Sequence, residues 1–388
     1  MTTILLTDGL MRKTLSAARS LGEQGARVIV SDTTSYTPAA YSKYCSLSLT
    51  YPDPVREPQA FVGWLKETVR RHNVDVLMPM DDAALSLVLA HEEELPPKCA
   101  CVLPPADAYH IASDKHLSVR LAASAGLPTP WTVLPRSLSE VNELAGTLQY
   151  PVIIKPRSSS GSRGIRLVSE AEELKREYAL VHRDFPFPMI QERIPTGERI
   201  DVCLLFDMES ELRASFVQRE LRHFPLERGP STAQESIWRP DLAARCEVML
   251  KKAGWQGIAE VEFMVDPRDG LPKFMEINPR FWNSLHLSRL AGVNFPWLLS
   301  RIALGEDVPA VREYAVGVRC RNWLPGELLH FLWNPDRFRT LPSFLGNGEN
   351  GGGDDILSLK DPGPAFGFIL ACARYAFDRN MWKSMFVR

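Results

Sequence analysis

At 388 residues the chain exceeds what one hydrophobic core usually supports, so two or three packed units are expected. A formal net charge of −2, with acids and bases mixed throughout, leaves no basic face for DNA or RNA and excludes nucleic acid as a partner. Seven scattered cysteines without C-x-x-C spacing argue against a disulfide frame or a zinc site and fit a reducing, cytoplasmic setting.

"TILLTDG", "RKTLSAARSLGEQG" and "RVIVSDT" read as strand, helix and strand, with an apolar stripe at Leu15, Ala18 and Leu21 and a glycine stop. "FVGWLKETVRRHNVDVLMPMDD" repeats helix then strand, and "CACVLP" adds a short strand, giving an open parallel sheet over residues 1–105. Its first turn, "TDGLMRK", has one glycine where a dinucleotide fingerprint needs three, which counts against a nicotinamide-dependent oxidoreductase. Asp32 reads as a turn cap in preference to a ribose ligand.

Residues 106–188 open with the helical "SDKHLSVRLAASAG" and alternate strand and helix through "PVIIKPRSSSGSRGIRLV" and "SEAEELKREYALV". Residues 189–312 hold "PMIQERIPTGERIDVCLLF", the helix "PDLAARCEVMLKKAG", a hairpin and the helical pair "SLHLSRLAGVNFPWLLSRIALG". Residues 313–388 form an extension in which "GNGENGGGDD" is the strongest loop signal. The N-terminus begins as a strand, not a signal peptide, and "GPAFGFILACARYAF" is broken by Arg374 and shorter than the roughly 18 residues of a membrane span. The basic, aromatic end "YAFDRNMWKSMFVR" is expected to pack on its own domain rather than on a membrane or another subunit.

Three stretches carry chemistry. In "EVEFMVDPRDGLPKFMEINPRF" two short apolar runs flank a turn, and antiparallel pairing puts Glu262 opposite Glu276. Like charges directly opposite destabilise a sheet by up to about 1 kcal/mol, so a cation should sit between them. Asn278, two residues on and on the same side, adds a third oxygen for a hard ion; an exposed hairpin with solvated acids is the alternative. In "IIKPRSSSGSRG" a strand delivers Lys155 to a turn where Gly161 and Gly164 let backbone N–H groups approach an anion, and the hydroxyls of Ser158, Ser159, Ser160 and Ser162 add donors. The lysine precedes the loop, unlike a P-loop. In "QERIPTGERIDV" the step at Ile194 and Pro195 suits an adenine edge and Glu198 a ribose; the alternative is a hinge between subdomains.

Taken in order, Lys115, Lys155 with its Ser/Gly loop, "QERIPTGE", "EVEF" and "MEINPRF" resemble the ATP-grasp superfamily, particularly its carboxylate-amine ligases, over roughly residues 1–310. The resemblance implies an α/β (α+β) ATP-grasp fold: a Rossmann-like N-terminal domain (1–105), a small lid (106–188) and an antiparallel-sheet subdomain (189–312). It implies ATP phosphates on Lys115 and Lys155, covered by the loop from Ser158 to Gly164, adenine at Glu192 and Ile194, and ribose at Glu198. Mg2+, or Mn2+ in its place, would lie on Glu262, Glu276 and Asn278, and Arg280 would face the transferred phosphoryl group, making Lys155 and Arg280 the catalytic pair. Arg219, Arg228 and Ser231 are candidate contacts for a substrate carboxylate, and Asn283 and Ser284 for the acceptor.

The implied reaction joins a small carboxylate to an amine, or a thiol, through an acyl phosphate, releasing ADP and phosphate. It needs no protein nucleophile, so His116, His223 and His286 are read as structural or surface residues. A non-catalytic ATP-binding subunit and a kinase that stops at the acyl phosphate are the competing readings, and a homodimer is compatible with the sequence.

Overall fold

The first four strands, β1 (Thr3–Leu6), β2 (Arg27–Asp32), β3 (Cys45–Thr50) and β4 (Val76–Met78), form a parallel sheet in the order β3-β2-β1-β4. The computed structural model describes residues 1–159, 163–226, 229–339 and 350–375. β1 is buried throughout because helices cover both faces: Ile4 and Leu6 join a core with Leu15 and Leu21, while Leu5 joins another with Phe61 and Leu65. Asp32 caps the first turn, accepting hydrogen bonds from the Leu10 N–H at 2.8 Å and the Thr33 N–H at 2.6 Å. The fifth strand expected from "CACVLP" is reduced to one bridge, Val76 to Ala100, because Pro96, Pro97, Pro104 and Pro105 flank the run and supply no ladder donors.

A second, antiparallel sheet has β5 (Thr132–Val133), β6 (Val152–Lys155), β7 (Arg166–Val168) and β8 (Met189–Glu192) in the order β5-β8-β6-β7. Helices Leu138–Ala145 and Ala171–Asp184 cover one face, burying Val152 and Ile154 with Val141, Leu174 and Tyr178. Strand alternation therefore turns Ile153 and Lys155 to the other face.

The third sheet has seven strands: β9 (Arg199–Phe206), β10 (Leu212–His223), β11 (Ser231–Ser236), β12 (Gly257–Val265), β13 (Pro272–Asn278), β14 (Arg319–Arg321) and β15 (Gly352–Asp354). Their order is β13-β12-β9-β10-β11-β14-β15, antiparallel except for β14 with β15. On the back face Ile200, Val202, Leu204, Val261 and Phe263 pack with helix Pro240–Lys252. On the front face Cys203, Leu205, Phe216 and Ile258 share one core with β1 and with helices Leu285–Leu290 and Phe295–Ala303.

Two readings of the sequence change here. "FVQRELRH", whose Arg219 is expected to line a substrate loop, is instead the later part of β10, with bulges at Arg222. The glycine run read as loop supplies β15, which pairs through backbone groups alone and needs no side-chain pattern. Residues beyond 312 thus complete the large sheet. They also return to helix Arg12–Glu23, where Arg12 pairs with Asp355 at 2.5 Å and Arg19 with Asp361 at 2.9 Å, both acids buried. The basic end beyond Tyr375 lies outside the described residues.

Candidate active site

The front face of the large sheet changes character along each central strand. On β12 it reads Ile258, Glu260, Glu262; on β9, from the same end, Leu205, Cys203, Asp201; on β10, Ala214, Phe216, Gln218. The apolar end lies under the N-terminal unit. The polar end is the floor of a cleft, which Lys155 of the second sheet faces.

Glu262 pairs in register with Glu276, and Glu260 with Asn278, as the hairpin reading requires. Beyond Glu262 the register slips, Phe263 pairing with Phe274, so Met275 is an extra residue in β13. Asn278 Nδ2 donates to Glu262 Oε1 at 2.7 Å and to Glu260 Oε2 at 3.0 Å. Burial, then the neighbouring Glu276 and Glu260, pushes the Glu262 carboxyl well above the usual carboxylate range. Burial would raise Glu276 too, but Lys115 and Lys155 outweigh it and hold that carboxyl low.

Lys115 is the first residue of helix Lys115–Ser124, fixed by its N-cap Asp114, which accepts from the His116 and Leu117 N–H groups and pairs with Arg157. Its ammonium donates to the Ser159 carbonyl at 2.8 Å and lies 3.0 Å from Glu276 Oε2, stapling the loop after β6 to the hairpin. Lys155 is 5% exposed; burial lowers its pKa, while Glu276 and Glu262 act to raise it. Gly164 adopts φ 75°, and a Cβ there would sit 2.7 Å from both Phe185 and Pro156, so only glycine fits that end of the loop. Ser158 is exposed and Ser159 partly so; Ser160, Gly161 and Ser162 lie outside the described residues.

Arg280 follows β13 and reaches the N-terminal unit. Its Nε donates to Asp82 Oδ1 at 3.0 Å and lies 3.5 Å from Asp81 Oδ1, which also accepts from the buried Lys13 at 2.7 Å. Its Nη2 lies 3.5 Å from Asn278 Oδ1. Arg280 thus neighbours the hairpin's polar end while being held from the opposite wall.

Glu262, Glu276 and Asn278 offer only oxygen donors, and a carboxyl pushed up by burial and then by its acidic neighbours suits a hard divalent cation. Asn278 currently turns its amide hydrogens to the acids and its oxygen toward Arg280, so a half-turn of the amide would be needed to complete the set. Among the described residues no three His, Cys, Asp or Glu side chains form a metal cluster, so any ion here would rest on two carboxylates and an amide.

The remaining candidates divide by face. Ser284 joins the floor, its Oγ accepting from Gln218 Nε2 at 2.6 Å, and Asn283 beside it is half-buried. Ser231 Oγ accepts from Gln234 Nε2 at 2.6 Å. Glu192 accepts from the Trp131 N–H and from Arg268 Nη2, and Ile194 is half-buried in the connection to β9. Arg219 alternates with Gln218 and Glu220, so it emerges on the back face; there Glu235 and Glu198 bind it at 2.5 and 3.3 Å. Arg219 as a carboxylate contact and Glu198 as a ribose contact are therefore at odds with strand parity and with the pairs they form. Arg228 lies outside the described residues.

Sequence reasoning missed Asp201, Gln218 and Glu220, and passed over Glu260. Asp201 is 3% exposed, and burial, then Glu220, Glu260 and Glu262, pushes its carboxyl well up. Glu260 is raised to about 7, by burial first, with Arg280 opposing. His223 also belongs to this wall, its Nε2 2.6 Å from Glu220 Oε2, whereas His286 is buried away from it.

Residues 189–323 match the family described as "ATP-grasp in the biosynthetic pathway with Ter operon", and residues 114–189 match "Carbamoyl-phosphate synthase L chain, ATP binding domain". Acetyl-CoA carboxylase of Dictyostelium discoideum is 25% identical over 244 residues, covering 54% of this chain and 10% of that protein. Biotin carboxylase 1 of Bacillus subtilis is 28% identical over 194 residues, covering 46% of this chain and 42% of that protein. The chain thus spans less than half the length of these curated relatives.

Among solved structures, a biotin carboxylase–ATP complex from Campylobacter jejuni superposes with a TM-score of 0.70 at 18% identity, over 82% of this chain and 74% of that one. The biotin carboxylase domain of Hydrogenobacter thermophilus 2-oxoglutarate carboxylase, holding MgADP and bicarbonate, gives 0.67 at 17%, over 81% and 73%. N5-carboxyaminoimidazole synthetase of Staphylococcus aureus gives 0.63 at 16%, over 82% and 80%. An open parallel sheet followed by two antiparallel sheets in that order, the superposition on these structures and the match of residues 189–323 to an ATP-grasp family give this chain the ATP-grasp fold.

Proposed function

We propose that this chain is an ATP- and Mg2+-dependent ligase that activates a carboxylate as its acyl phosphate and transfers the acyl group to an amine. The observation that supports it most is the convergence of Lys115, Glu262, Glu276, Asn278 and Arg280 in one cleft, with Lys155 facing it from the lid. Lys115 and Lys155 would hold the ATP phosphates, their charges opposing those that spread over the γ-phosphoryl oxygens. Arg280, with its Nε held by Asp82, would present its guanidinium to the phosphoryl group being transferred. Glu262, Glu276 and Asn278 would hold Mg2+, which supplies charge neutralisation and alignment of the phosphates.

The substrate carboxylate oxygen attacks the γ-phosphorus and ADP leaves. The amine nitrogen then attacks the acyl carbon, inorganic phosphate leaves, and the nitrogen gives up a proton. The loop after Lys155, stapled through Ser159 to Lys115, would shield the acyl phosphate from water. Glu192 and Ile194 would flank the adenine, Ser231 the substrate carboxylate, and Asn283 and Ser284 the acceptor side.

A screen for ADP release over pairs of carboxylates and amines with Mg2+ present tests this, and the stimulating pair names both substrates. Release that continues without amine would indicate the acyl-phosphate kinase. Nucleotide binding with no release for any pair would indicate a non-catalytic subunit. A second reading takes bicarbonate as the carboxylate, since a structural neighbour holds MgADP and bicarbonate; ADP release stimulated by bicarbonate alone among the carboxylates would favour it.

A further inference from the structure

A second cavity, of about 520 Å³, lies outside the cleft where helices Arg12–Glu23 and Leu285–Leu290 meet the returning segment around Gly353 to Asp361. That volume falls in the range of small-molecule sites. Its acids are committed: Asp361 accepts from Arg19 Nε, Ser42 Oγ and the Lys43 N–H, Asp354 accepts from the N–H groups of Trp323, Ile356 and Leu357, and Glu23 pairs with Arg289 Nη2 at 3.3 Å. What remains uncommitted is on the donor side. Arg289 Nη1 and His286 Nδ1 are both buried without a hydrogen-bond partner, and the exposed Lys360 stands at the rim. His286 is 8% exposed, and burial holds its ring neutral, so it adds no second cation, and the group it meets sets which ring nitrogen carries the proton.

Buried polar groups in folded proteins nearly always have partners, and a guanidinium nitrogen left alone costs more than a neutral one. We propose that this cavity binds a small anionic molecule, bearing a carboxylate or a phosphate, on Arg289, His286 and Lys360. A guanidinium edge beside a neutral imidazole, which donates from whichever nitrogen carries the proton, and an ammonium matches the oxygens of such a group. The site sits just after Ser284, which contacts Gln218 on the cleft floor, and is separate from the residues assigned to ATP.

The test is calorimetric titration of the full chain, its cleft first saturated with a nonhydrolysable ATP analogue and Mg2+, using inorganic phosphate in one arm and succinate in the other. At least one should bind at millimolar concentration, and Arg289→Gln should weaken it about tenfold or more, the loss expected for one charge-assisted contact. Lys360→Gln, at an exposed position that leaves folding intact, should weaken the same ligand several-fold, and neither change should alter analogue affinity. Binding in one arm alone names the group recognised. The proposal is overturned if neither anion binds, or if the one that binds is unaffected by Lys360→Gln and by whichever Arg289→Gln protein folds.

Discussion

Replacing Glu262 by glutamine should make the metal-free protein more stable while abolishing its response to Mg2+. Glu262 stands in register opposite Glu276 on a floor already bearing Glu260 and Asp201. Directly opposite side chains are about 5 Å apart, and two carboxylates at that distance repel by about 3 kcal/mol at an effective dielectric of about 20. Lys115, 3.0 Å from Glu276, offsets part of this, leaving a net gain of roughly 1–2 kcal/mol on neutralising Glu262, or a midpoint about 1–3 °C higher. Glutamine keeps an oxygen to accept from Asn278, so the 2.7 Å contact survives and the comparison isolates charge. Scanning calorimetry of both proteins, in chelator and then with Mg2+ and an ATP analogue, reads both halves. Wild type should gain stability on ligand addition by linkage, whereas the variant should gain little. A lower midpoint for the variant in chelator would show that the facing acids are not an electrostatic liability, and the case for a cation between them would fall.

Lys155→Ala should weaken ATP binding roughly tenfold to a hundredfold, the loss expected for a charge-assisted contact, and wild-type affinity in a calorimetric titration would remove it from the nucleotide site. Arg280→Ala should lower kcat by about 10²–10³ while changing nucleotide affinity much less; unchanged turnover in the ADP-release assay would exclude it from the mechanism. Asp8→Asn probes the N-terminal edge, where burial above all raises this carboxyl from 3.8 to about 6. Because its folded-state pKa is raised, Asp8 costs nothing below pH 3.8 and its penalty grows as pH rises toward 6. The variant should therefore match wild type near pH 4 and exceed it by at most about 3 kcal/mol above pH 6, as denaturant midpoints would show. Asparagine also tolerates the residue's φ of 58°, so no backbone penalty obscures the comparison.

The sequence made the hairpin legible because its two acids lie within fifteen residues of each other and a turn dictates their pairing. It did not make the rest of the floor legible. Asp201, Gln218 and Glu260 are single polar residues in otherwise apolar strands, and only the order β12-β9-β10 makes them neighbours. Arg219 and Glu198 are read as substrate and ribose contacts from their places along the chain and the resemblance, although counting from Gln218 puts Arg219 behind the sheet, where Glu198 pairs with it. Asp82 and Arg280, 198 positions apart, meet only because the two units share one core. The glycine-rich β15 could not be read because an edge strand needs only backbone donors and acceptors.

The alternation along β12 connects these parts. A strand that places Ile258, Glu260 and Glu262 on one face cannot bury that face uniformly: the isoleucine needs cover, and the acids need a cation, a lysine or water. The N-terminal unit supplies the cover at one end and sends Asp81 and Asp82 across to Arg280 at the other. Packing the domains together and opening the cleft are therefore two consequences of one strand pattern. A substitution that loosens the apolar end, such as truncating Phe216 beneath β1, would also shift Arg280 relative to the acids. The same reasoning separates the floor from the back face. There Arg219 and Arg319 pair with Glu235 and Arg219 also with Glu198, so these four charges balance within the sheet's own surface. The excess of acid remains on the front, where Lys115 and Lys155 offset only part of it.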